Sequence, residues 1–113
     1  MDLYHADVRL PVGFIAPTGR VALKWTRHAE QALDNDRYGN IPKFNTATLD
    51  NLKVIEVGVE NNRVMKILFR GSIDADRDLC MVLIPGKTWI VKTVWVNLRT
   101  DAHRTLDRSR YAC

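Results

Sequence analysis

The chain has 113 residues, 46% of them hydrophobic, and carries seventeen Lys and Arg against thirteen Asp and Glu for a net charge of +4. That length and apolar content fit one compact domain over 1–113 with a modest core. No run approaches the roughly 18 apolar residues of a membrane span, and the start MDLYHADVRL has neither the basic head nor the apolar centre of a secretory leader, so a cytoplasmic protein without a membrane partner is expected. The basic balance favours a polyanionic partner such as RNA without identifying one.

The first twenty residues carry Pro11, Gly13, Pro17 and Gly19 and read as an irregular entry. A short extended run, RVALKW, follows. TRHAEQALDNDRYGN then reads as a helix over 26–38, with Thr26 as N-cap, Ala29, Ala32 and Leu33 at helical spacing, and Gly39 placed to stop it. IPKFNTATLDN reads as a connection. Beyond it LKVIEVGVE alternates with period two, Asn61-Asn62 supplies a hairpin turn, and RVMKILFRG, LCMVLIP and TWIVKTVWVN read as three further strands. The expected fold class is therefore α+β: an N-terminal helix packed on a four-stranded antiparallel meander, with a short C-terminal helix or loop from about 101 to 111.

Strict alternation along the last strand would put Trp89, Val91, Thr93, Trp95 and Asn97 on one face and Lys92 on the other. The tryptophans read either as core or as platforms for unpaired bases. His28, in the first helical turn beside Arg27, is a candidate general acid or base, and its bland alternative is a surface histidine. His103 follows Asp101 and precedes Arg104, an arrangement able to orient an imidazole next to a phosphate-binding cation, or simply the solvated end of the chain. Cys80 lies within an apolar run and reads as packing. There is no Cys-x-x-Cys, His-x-x-x-His or His-Glu-x-x-His, so neither a metal site nor a cofactor is expected.

KWTRHAEQALDNDRYG is similar to the opening of small domains in which a strand delivers a Ser or Thr and a His-Ala pair starts a helix, and VKTVWVN resembles their last strand. Over residues 20 to 97 the chain thus resembles the barnase, EndoU, colicin and RelE-like superfamily, of the kind that phage and mobile elements encode. The resemblance implies metal-independent RNA cleavage by a toxin-like or phage-encoded ribonuclease, with His28, Lys92 and His103 as catalytic residues and Arg27, Asn97 and Arg104 binding substrate. The alternative expectation is a non-catalytic interaction protein that docks on a host protein, or on an antidote partner, through its sheet or its C-terminal tail. A fold supports either function only through its site.

Overall fold

A computed structural model describes residues 1–36, 38 and 40–100; the expected C-terminal element and the helix stop at Gly39 lie outside the described residues. The elements in chain order are β1 (Asp2–His5), β2 (Arg20–Trp25), α1 (Arg27–Asp34), β3 (Thr46–Thr48), a 3₁₀ turn (Leu49–Asn51), β4 (Lys53–Glu60), β5 (Arg63–Ser72), β6 (Arg77–Ile84) and β7 (Trp89–Leu98). The seven strands form a single sheet in the order β1-β4-β5-β6-β7-β2-β3. This corrects the expected helix on a four-stranded meander. The described residues are mostly β, with a mixed sheet and one short α-helix, and β4 to β7 are only the middle of that sheet. The missing members are short or non-local: β1 and β3 span four and three residues, and β2 joins β7 in parallel through Leu23–Trp89, Lys24–Ile90 and Trp25–Val91. A pairing between residues more than sixty apart leaves no trace in local periodicity.

The geometry of the sheet follows from one short link. β3 ends one edge of the sheet and β4 is next to the other edge, five strand spacings away, which would be about 24 Å in a flat sheet. Yet only residues 49–52 join them, and five Cα steps reach at most about 18 Å even when fully extended. Here they are tightened further by the Leu52 N–H bond to the Leu49 carbonyl. The sheet must therefore curl until its ends approach.

Curling gives the sheet an inner and an outer face. The inner core joins Leu23, Trp25, Val57, Ile67, Phe69, Met81, Trp89, Val91, Val94 and Val96, closed over by Ala29 and Leu33 of α1. The outer face carries a second cluster of buried residues, Ile55, Leu68, Cys80, Val82 and Trp95. Three β-bulges interrupt the ladders; one skips Met65 between the pairs Gly58–Lys66 and Val59–Val64, and the other two assign these residues to their faces. Between Val54 and Glu56 the pairing with β5 skips Ile55; between the pairs Val82–Thr93 and Leu83–Val91 it skips Lys92. Each extra residue inverts the alternation beyond it. Trp89 and Val91 therefore share the inner face with Val94 and Val96, while Thr93, Trp95 and Asn97 fall on the outer one. The strict alternation expected for this strand breaks at Lys92.

α1 is a short helix held by its first turn. Thr26 Oγ accepts the Ala29 N–H at 3.0 Å and donates toward the carbonyls of Val91 at 3.1 Å and Lys92 at 3.3 Å, so one hydroxyl both caps the helix and fastens it at the bulge. The helix stops at Asn35, whose N–H turns back to the carbonyls of Gln31 and Leu33. Asp36 then accepts the Val96 N–H at 2.8 Å, satisfying the edge of β7 that extends past β2. At the β4–β5 hairpin Asn61 and Asn62 both take left-handed backbone, φ 52° and 62°, as a two-residue turn matched to strand twist requires.

The β5–β6 hairpin is held by charge. Asp74 accepts N–H bonds from Asp76 at 2.9 Å and Arg77 at 2.8 Å, and the Arg77 guanidinium reaches its second oxygen. These backbone donors and then Arg77 hold the Asp74 carboxyl below the usual carboxylate range. Asp78 receives Arg70 on one oxygen at 2.7 Å and Arg99 on the other at 3.0 Å.

Two outcomes follow for stability. Thr26→Ala removes both the cap and the tie to β7 and should cost about 1–2 kcal/mol, several degrees in Tm, whereas Thr26→Ser should recover most of it in the same thermal melt. For Asp74, a lowered folded pKa means that its stabilisation is present at neutral pH and is lost as pH falls below about 4. Asp74→Asn should melt below the parent at pH 7, and the gap between the two melting temperatures should narrow as pH falls below about 4.

Candidate functional site

The residues singled out in the sequence do not gather in one place. Arg27 and His28 are exposed in the first turn of α1, and Lys92 is half-buried at the β7 bulge to which Thr26 fastens that turn. These three share a neighbourhood through the Thr26 tie, but no hydrogen bond or ion pair joins them among the described residues. Asn97 lies five residues farther along β7, about 16 Å away at strand rise, and on the outer face opposite the one that α1 covers. His103 and Arg104 lie outside the described residues. Trp25, Trp89 and Trp95 are each no more than 9% exposed, so none offers an open indole for base stacking. Among the described residues no three His, Cys, Asp or Glu side chains form a group able to hold a metal ion. No helix there is long and apolar enough to cross a membrane.

A different feature stands out, where the curled sheet fails to close. A cleft of about 430 Å³ lies between β3 at one edge and the end of β5 toward the other. Its walls are mostly apolar: Ile41, Pro42 and Phe44 before β3, Leu52 after the 3₁₀ turn, and Leu79 and Met81 from the inner face of β6. A volume of that size with apolar walls and a few polar rim groups is the usual form of a binding site. A hollow of about 520 Å³ beside β1 is larger, but residues 1–9 alone line it, and it does not open on the core. The cleft at β3 is the better candidate, because the edge strand β3, the end of β5 and the inner-face residues Leu79 and Met81 of β6 all line it.

β3 gives this cleft a directional rim. The Leu23 N–H bonds to the Asn45 carbonyl at 2.8 Å and the Leu49 N–H to the Gly19 carbonyl at 2.9 Å. In an antiparallel ladder bonded pairs alternate with unbonded ones, so Ala47, paired with Val21 midway between them, directs its backbone groups at β2. Thr46 and Thr48 direct theirs away from β2, along the outer edge of the sheet. Their side chains lie on the outer face with Arg20, whose guanidinium donates to Thr46 Oγ at 2.9 Å, while Ala47 faces the inner core.

The rim is basic. Lys53 follows directly on Leu52 and is exposed, as is Arg20. Lys43 lies between Pro42 and Phe44 and is paired with Glu30 at 3.3 Å. Asp50 is the acidic residue of the turn, and it accepts the Gly19 N–H.

Sequence reading passed over this site because IPKFNTATLDN contains proline and polar residues and so reads as a connection. The available signal was Thr46 and Thr48 alternating around Ala47, two β-branched residues inside an apparent loop. Phe44 is held in place by an edge-on contact with Trp25 at 5.3 Å between ring centroids and by its carbonyl, which accepts the Trp25 indole N–H. No protein-family model matches the chain, and no curated protein or solved structure shows significant similarity to it, so its function has to be argued from this geometry.

Proposed function

We propose that the chain is a non-catalytic interaction protein that docks on a protein partner through the cleft beside β3. One observation carries the reading: an apolar opening of about 430 Å³ into the core, bounded on one side by a sheet edge. Apolar wall area of this kind rewards an inserted side chain, at roughly 25 cal/mol for each Å² removed from water. The ribonuclease reading rests on the sequence resemblance and on net charge. Arg27, His28 and Lys92 support contact with a phosphate at most, since a cyclising cleavage also needs a base, an acid and a charge-stabilising group arranged about one phosphorus.

The methionines give the test its internal controls, because of Met1, Met65 and Met81 only Met81 lines the cleft. Peptides selected on the purified chain from a random display library should shift the Met81 methyl resonance saturably and leave Met1 and Met65 in place. Labelled RNA incubated with the chain in EDTA should remain intact. Selected peptides that leave Met81 unmoved overturn the docking reading. RNA cleavage that survives EDTA and disappears in His28→Ala or Lys92→Ala restores the enzyme.

A further inference from the structure

We infer that the occupant of the cleft is an extended partner segment, alternating apolar with acidic residues, that adds to the outer edge of β3 as an eighth strand. This rests on the cleft being the docking site and goes further in naming how the partner binds and what it carries. Three observations lead to it. The backbone N–H and C=O groups of Thr46 and Thr48 point away from β2, which is the arrangement an incoming strand requires for main-chain pairing. Side chains of a strand paired there must alternate between the two faces. Those opposite Ala47 would enter the cleft toward Leu79 and Met81, and an apolar residue suits that wall. Those opposite Thr46 and Thr48 would lie on the outer face beside Arg20, with exposed Lys53 next to the lining residue Leu52, and a carboxylate suits these cations.

The short link between β3 and β4 is what leaves room for this strand. It brings β3 beside the end of β5 with no strand pairing between them among the described residues, so apolar residues of β6 lie next to β3. Main-chain bonds would supply affinity, and the alternating side chains would supply selectivity.

The test uses the full chain and a synthetic octapeptide that alternates glutamate with valine or isoleucine. Its expected signature is a saturable shift of the Met81 methyl together with slowed hydrogen exchange at the Thr46 and Thr48 amides. The lysine-for-glutamate counterpart should bind about tenfold more weakly. Thr48→Pro removes an outward N–H while leaving the Ala47–Val21 bonds to β2 in place, so it should keep its fold by near-ultraviolet circular dichroism and lose about tenfold in affinity. The glutamate peptide methylated on alternate backbone nitrogens should lose as much, with no change made to the protein.

If the Met81 shift persists in Thr48→Pro and with the methylated peptide, and the two amides stay unprotected, strand addition is wrong while the cleft reading stands. If neither peptide moves Met81 and the library selection also fails there, both are wrong. Equal binding of the lysine peptide overturns the acidic partner. Concentration-dependent dimerisation that protects Thr46 and Thr48 without peptide assigns the edge to a second copy and overturns it too.

Discussion

The four residues from Leu49 to Leu52 constrain the rest of the molecule. They tie an edge strand to a strand near the opposite edge, and their reach is shorter than the flat sheet they would have to cross. The sheet therefore wraps, which gives it a concave side on which an eight-residue helix can cover much of the core. A helix as short as α1 is marginal in isolation; Ala29 and Leu33 inserting into that concavity and Thr26 fastened to β7 stabilise it. The same wrapping produces the opening at β3, since a three-residue strand is too short to complete the closure. Closure and cleft have one origin.

Within the wrapped sheet, two of the three single-residue irregularities sort the largest side chains between the faces. Lys92 and Ile55 are extra residues in their ladders, and each changes the side on which the following side chains lie. Without the Lys92 bulge, Trp95 would join Trp89 inside and Val94 and Val96 would turn outward. With it, the inner core receives two valines that fit beneath α1, and the larger indole goes to the outer cluster with Cys80 and Leu68. Thr26 bonds to the carbonyls on either side of this step, so the bulge that sorts the side chains also seats the helix.

The sequence made some of this legible and withheld the rest for identifiable reasons. Alternation located β4 to β7, and the Asn61-Asn62 pair located a turn, because both signals lie within a few residues. Thr26 with Ala29 announced the start of the helix in the same local way. β2 shows itself in the sequence only as the short extended run RVALKW; its parallel partner β7 lies more than sixty residues farther along the chain. Lys92 in VKTVW is indistinguishable from an ordinary outward lysine, because a bulge is fixed by the pairing across it and not by the residue itself. The candidate site suffered most, since three of its apolar walls belong to a segment whose proline and threonines resemble a loop.

The basic balance, which first suggested RNA, reads differently once the cations are placed. Arg70 and Arg99 converge on Asp78, Arg77 clamps Asp74 and also bonds to the Tyr38 carbonyl, and Lys43 pairs with Glu30. These guanidinium groups fasten hairpins and edges, a task for which a planar fork of donors suits Arg better than Lys. A phosphate would have to compete with carboxylates already seated in bonds of 2.7–3.0 Å. Each ion pair removes one charge of either sign, so the +4 excess is unchanged by them and resides in the other cations of the chain. The exposed cations near the opening, Arg20 and Lys53, are a pair of points beside an apolar wall and not a continuous basic track. Two separated cations flanking an apolar slot match a chain whose carboxylates alternate with hydrophobic side chains better than they match a polymer with a phosphate at every step.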